Sequence, residues 1–148
     1  AGASVVRVDG PDTEAEGDVD GADLAPALVA RPEGQLEWIS SEEEGAVQSK
    51  AERRPMLVSF ATEWCAACKR LVKETFADPR VKRQAGRFVA VRIDATNDED
   101  PEVSAALLKY AVIGLPTIVL LDSAGHEQRR FTEFVRPDAL LAEIERVH

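Results

Sequence analysis

Residues 56–69 read Met56-Leu57-Val58-Ser59-Phe60-Ala61-Thr62-Glu63-Trp64-Cys65-Ala66-Ala67-Cys68-Lys69. The apolar run Met56 to Phe60 has the length of a buried strand and leads straight into Trp64-Cys65. Beyond the cysteines, Leu71, Val72 and Phe76 continue an apolar face at helical spacing. A strand that turns into a helix here puts Cys65 at the helix amino terminus. The unpaired amides and the dipole at that end favour negative charge, so the Cys65 thiol is expected to ionise more readily than a free one and to be the attacking group. Cys68, three residues on, lies on the same helical face, inside the Cα separation that a disulfide tolerates. The chemistry that follows is a cycle. Cys65 thiolate attacks a partner disulfide, a mixed disulfide forms, and Cys68 attacks the Cys65 sulfur to release the reduced partner. The plainer reading of the same spacing is an inert buried pair or a static disulfide.

Outward from this segment, Leu36-Glu37-Trp38-Ile39 reads as a short opening strand, and a helix is expected from Glu42 to Glu52. Ser40 and Ser41 stand where they can cap its first amides, and Glu42 to Glu44 complement its positive end. Asp78-Pro79 breaks the helix after the cysteines and permits a short one around Val81 to Ala85. Phe88 to Asp94 is the next strand. Pro101 suits a first helical turn, with Val103, Ala106, Leu107 and Tyr110 on one apolar face. Thr117 to Leu121 is a β-branched strand, Asp122-Ser123-Ala124-Gly125 a turn, and His126 to Phe131 its hairpin partner. A last helix runs from about Pro137 to Val147 with Leu140, Leu141 and Ile144 inward. Parallel crossovers followed by a terminal hairpin mean an α/β fold whose central sheet is mixed and flanked by helices on both faces.

The chain has 148 residues and 45% hydrophobic content, enough for one domain with a real core. Its net charge of -9 is uneven: residues 1–34 hold eight acids against Arg7 and Arg31. That segment, rich in Gly, Asp, Glu, Pro and Ala, is expected to be a disordered linker or tail, with a strand at Ser4 to Val8 as the alternative, and the domain proper to span 35–148. The acidity argues against a nucleic-acid partner. No apolar stretch is long enough to span a bilayer and no secretory signal stands at the amino terminus, so the piece is expected to be soluble. It begins with Ala1, which leaves room for an upstream segment.

Two cysteines in all exclude a multi-bridge scaffold. His126 and His148 lack ligand spacing to them, so no metal and no cofactor is expected. The acidic run Asp94 to Asp100 lacks the alternating ligands and distal glutamate of a calcium loop and reads as a solvated loop.

Val58 to Lys69 together with Ile113-Gly114-Leu115-Pro116-Thr117 resembles the thioredoxin superfamily, over about residues 35–148. Within it, Cys68-Lys69 through Glu74-Thr75-Phe76-Ala77-Asp78-Pro79-Arg80-Val81, with Leu107-Leu108-Lys109-Tyr110, looks most like the carboxy-terminal domain of the DsbD family of bacterial transmembrane thiol:disulfide interchange proteins. The resemblance implies a thioredoxin-like fold, and a protein-disulfide reductase working through Cys65 and Cys68. It also implies a cis-proline at Pro116 facing the cysteines, with the Leu115 backbone and Trp64 meeting an extended segment of the partner. The partners so implied are protein thiols and disulfides, among them a membrane-embedded electron donor. The setting so implied is the periplasm, with a tether through an upstream segment and an isolated domain that is a soluble monomer.

Two departures from the family stand out. The buried acid often found six residues before the first cysteine is Ser59 here, and the glutamate that the subgroup often carries seven residues after it is Val72. Glu63 and Glu74 are the nearest acids in sequence, Glu63 expected to face solvent. Ala66-Ala67 lacks both the intervening histidine of strongly oxidising relatives and the Gly-Pro of common thioredoxins, which keeps a general thioredoxin or a disulfide donor as an alternative. A module from another class, handling Cu(I) through the two thiolates, would want a Met- or His-rich surround, and Met56 is the one methionine.

Overall fold

The structure, a computed structural model, describes residues 36–148. The expected tail over 1–34 and the alternative strand at Ser4 to Val8 lie outside the described residues.

Alternating residues of the strands over 56–61 and 117–121 serve two cores, because successive side chains point to opposite faces. The strands are β1 (Trp38–Ile39), β2 (Met56–Ala61), β3 (Val89–Asp94), β4 (Thr117–Leu121) and β5 (Glu127–Phe131), and they form one sheet in the order β1-β3-β2-β4-β5. The β1–β3 and β3–β2 pairs are parallel, while β2–β4 and β4–β5 are antiparallel, the mixed sheet that the crossovers and the hairpin imply. Met56, Val58 and Phe60 join Val89, Val91, Val119 and Leu121 on one face. Leu57, Ile118 and Leu120 point to the other.

Helices α1 (Glu42–Glu52) and α4 (Pro101–Lys109) cover the first face; the turn from Leu71 that continues α2 (Ala66–Arg70), with α3 (Pro79–Ala85) and α5 (Pro137–Ile144), covers the second. Each start has a local cause. The Ser41 side chain accepts the Glu44 N–H, and Asp78 and Asp100 each accept two amides ahead of a proline in the first turn. Gly45 lets α1 lie directly on β3, since a Cβ there would overlap Val91 Cγ2. Across the two helices, Tyr110 Oη and Lys109 Nζ both donate to Glu42 Oε2 at 2.7 Å. Burial, with that carboxylate beside it, pushes the Tyr110 phenol well above its ordinary value. Arg54 and Arg87 bind the chain ends of the second layer: Arg54 donates to the carbonyls of Gly86, Arg87 and Phe88, and Arg87 to those of Ile144 and Val147.

One expectation needs correction. Val72 does not share the buried face of Leu71 and Phe76: it is 47% exposed, against 2% and 4%. The cause is a π-helical turn over Leu71–Thr75 that continues α2. Its i to i+5 hydrogen bond, Phe76 N–H to Leu71 O at 2.7 Å, stacks Phe76 over Leu71 and turns Val72 outward. Phe76 then meets Trp38 edge-on, their ring centroids 5.1 Å apart. Element ends also differ slightly: α3 begins at Pro79, and α5 ends at Ile144 although Val147 remains buried.

Candidate active site at the dithiol turn

The β2 strand carries the chain to the end of the sheet, where Thr62 to Trp64 turn it into α2. Two bonds hold this turn: Cys65 N–H donates to Thr62 O at 3.4 Å, and Glu63 N–H donates to Thr96 Oγ1 at 3.0 Å, tying it to the loop after β3. Cys65 is the residue that caps α2, in extended conformation, and its Sγ accepts the Cys68 N–H at 3.2 Å. The two sulfurs are joined as a disulfide, with Cα atoms 5.2 Å apart. Cys68 is 3% exposed, whereas Cys65 is half-buried. One sulfur is therefore approachable and supplied with a backbone donor, and the other is shielded behind it.

Pro116 comes to the same end of the sheet by register. β2 and β4 run antiparallel with Phe60 opposite Thr117, so the residue before Thr117 lies opposite Ala61, at the entrance to the turn. The Leu115–Pro116 peptide bond is cis, Pro116 is buried, and Leu115 is half-buried. Thr117 Oγ1 donates to Gly114 O at 2.6 Å and closes this second loop on itself. Trp64 is 69% exposed, which leaves the indole on the surface next to Cys65 in the chain. Ile113, at 98%, is more exposed still. An isoleucine before a Gly-x-Pro reads as the end of a strand, and only the loop geometry shows it bare.

No carboxylate stands beneath the dithiol at the two positions where the family often has one. Ser59 is buried at 4% exposure, and its ladder neighbour on β3 is Arg92, a half-buried guanidinium stacked 4.1 Å over the Trp38 ring. Burial lowers the pKa of Arg92. Val72 faces solvent. Of the nearby acids, Glu63 is exposed, and Glu74 is engaged by Arg70, whose Nε donates to Glu74 Oε2 at 2.9 Å. That hydrogen bond holds the Glu74 carboxyl below the usual carboxylate range, so it is ionised near neutral pH and already paired.

The loop from Asp94 to Asp100 spends its polar groups on its own backbone: Asp94 accepts the Thr96 N–H, Asn97 the Glu99 N–H, and Asp100 caps α4. Among the described residues no group of three or more His, Cys, Asp or Glu side chains is placed to hold a metal ion, and no helix is long and apolar enough to cross a membrane.

Comparison with known proteins agrees with this architecture. A family model described as a thioredoxin-like domain matches residues 43–148. The thiol:disulfide interchange protein DsbD of Salmonella paratyphi A is 41% identical over 81 residues, which are 54% of this chain and 14% of that protein. That of Haemophilus ducreyi is 35% identical over 96 residues, 64% of this chain and 17% of that protein. The chain thus spans well under a fifth of the length of these curated relatives. Among solved structures, a thioredoxin from Thermus thermophilus superimposes with a TM-score of 0.65 at 28% identity, covering 76% of this chain and 86% of that one. The oxidised carboxy-terminal domain of Neisseria meningitidis DsbD gives 0.63 at 24% identity, covering 72% and 92%, a likeness of fold.

Proposed function

The chain belongs to the thioredoxin-like domain family, and from that premise we propose that it is a thiol:disulfide oxidoreductase that reduces partner-protein disulfides through a Cys65/Cys68 cycle. The observation that carries the reading is the asymmetry of the pair: Cys65 Sγ is approachable and accepts the Cys68 N–H, while Cys68 is covered. A backbone donor aimed at sulfur stabilises a thiolate more than a thiol, so Cys65 is the group that attacks. In each turnover the Cys65 thiolate opens the partner's S–S bond and forms a mixed disulfide. Cys68, giving up its proton, then displaces the partner thiolate, and two electrons have passed to the partner. Trp64 adjoins Cys65 in sequence and Leu115-Pro116 reach the same end of the sheet; the three are proposed to meet the partner segment.

The curated relatives that match are thiol:disulfide interchange proteins, which supports a place for this domain as an electron relay between protein thiols. By the resemblance to that family, the setting is the periplasm, the donor a membrane-embedded cysteine pair, and the domain a monomer tethered through an upstream segment. A general thioredoxin is the second reading, favoured by the match that covers 86% of a whole thioredoxin.

Trapping tests the cycle. With dithiothreitol as reductant and insulin as disulfide substrate, replacing either cysteine with serine is expected to abolish turnover, and Cys68→Ser alone, reduced and freed of dithiothreitol before insulin is added, to accumulate a mixed disulfide through Cys65. Undiminished turnover in Cys68→Ser would contradict the two-thiol cycle.

A further inference from the structure

A hydroxyl buried without a partner costs free energy, so each such group in a folded chain calls for a reason. The buried hydroxyls of Ser49, Thr75 and Thr117 each donate to a backbone carbonyl, of Arg54, Val135 and Gly114, at 2.6 Å. Thr62 behaves otherwise. It is 6% exposed, and its Oγ1 is fully buried with no hydrogen-bond partner among the described residues.

Its place in the chain is specific. Thr62 stands three residues before Cys65 and accepts the Cys65 N–H on its own carbonyl, while the Glu63 N–H is fixed on Thr96. The Thr62 carbonyl and the amide that follows it are thereby both engaged in the turn that presents the dithiol. The state in which the hydroxyl lacks a partner is the disulfide state.

We propose that Thr62 is a positioning residue for the redox couple: its hydroxyl, unpartnered while the disulfide is closed, pairs with the Cys68 sulfur once the disulfide opens. This rests on Cys65 and Cys68 being a reversible couple. Cys68, at 3% exposure, and Thr62, at 6%, are the buried residues that flank the turn, whereas the Cys65 sulfur already has the Cys68 N–H. A disulfide sulfur has no S–H to give, whereas a cysteine thiol both donates and accepts. Opening the bond with a partner dithiol balances as follows. The partner's two thiols give two electrons and two protons and become a disulfide. The Cys65–Cys68 bond breaks, Cys68 takes one proton, and the proton due to Cys65 goes to solvent as that sulfur becomes a thiolate. Thr62 exchanges no atom. It penalises the closed state and relieves the penalty in the open one.

Thr62→Val keeps the shape and removes the hydroxyl, and Thr62→Ser keeps the hydroxyl. In the full chain equilibrated with glutathione buffers, Thr62→Val is expected to move the equilibrium about tenfold toward the disulfide, the size of one orphaned hydroxyl, with Thr62→Ser close to wild type. The oxidised form of Thr62→Val is expected to melt above wild type and the reduced form not to. A residue that merely fills space would shift both forms alike and leave the equilibrium unmoved, and that result overturns the proposal. Should Thr62→Val fail to fold, NMR of the wild type decides: the Thr62 hydroxyl proton should exchange slowly in the reduced protein alone, and slow exchange in both states or in neither overturns it. If the wild type itself shows no reversible couple with glutathione, the oxidoreductase reading fails and takes this inference with it. A wild-type couple that Thr62→Val leaves unchanged defeats this inference alone.

Discussion

Cys65 and Cys68 are one helical turn apart, yet their surroundings divide the labour of the reaction between them. The half-buried Cys65 meets solvent and receives a backbone N–H, while Cys68 lies within the fold. Reduced protein treated with iodoacetamide near neutral pH is therefore expected to be labelled at Cys65 first, and preferential labelling of Cys68 by mass mapping would reverse the assigned roles. Cys-x-x-Cys between a strand and a helix made both cysteines legible in the sequence, because such positions are defined by spacing, whereas the proline loop at Gly114-Leu115-Pro116-Thr117 was legible only through the resemblance to the thioredoxin superfamily. The unpartnered hydroxyl of Thr62 and the bare face of Ile113 were not legible. Both depend on where a loop sends a side chain, which residue type does not state. Ser59 was noted as a missing acid, but that its ladder neighbour is a guanidinium follows only from strand register.

At the scale of elements, local rules and packing sometimes oppose each other. Gly45 inside α1 costs helix propensity, about 1 kcal/mol against alanine, yet it is buried against Val91. Gly45→Ala gains that propensity and loses the close approach of α1 to β3. Overpacking a well-filled core typically costs about 1–3 kcal/mol, so the variant is expected to be destabilised overall, by about 1 kcal/mol in chemical denaturation. A more stable variant would show that α1 can lift away freely. Asp78 offers a test with pH. Its carboxyl, held below the ordinary range first by the Arg80 side chain and then by the amides of Arg80 and Val81, stabilises α3 as the anion. A depressed pKa means that this stabilisation is present above the unfolded value, about 3.9, and is lost as pH falls through the folded one. Asp78→Asn is accordingly expected to lower the thermal midpoint near neutral pH, and its gap from wild type to close in more acid solution. A gap that stays constant with pH would contradict the charged contribution. The α1 boundaries were legible because caps and acids mark its start. The π-helical turn was not, since Leu71, Val72 and Phe76 fit a regular helix equally well, and the i to i+5 bond that turns Val72 outward has no mark in residue type.

The described residues, 36–148, fold as two cores on either face of one sheet, whose strands deliver two loops to one end, the dithiol turn after β2 and the proline loop before β4. Residues 1–34 offer few large apolar side chains for a core, so a chain starting at residue 35 is expected to keep the thermal midpoint and redox behaviour of the full chain. A loss of more than a few degrees in a thermal melt would show that the acidic segment contributes to the fold. Fold class was legible from the order of strands and helices, because a strand order with one terminal hairpin admits few sheets. The central claim is that Cys65 and Cys68 form a reducing couple. The Cys68 N–H on the Cys65 sulfur favours the reduced form, whereas Ala66-Ala67 supplies no histidine to stabilise it further. Equilibration with glutathione buffers, quantified by alkylation mass shift, is the direct measurement. The predicted result is a reversible two-electron transition at about -200 to -270 mV, on the scale where thioredoxin lies near -270 mV; a value near about -120 mV, or no reversible transition, would contradict the account.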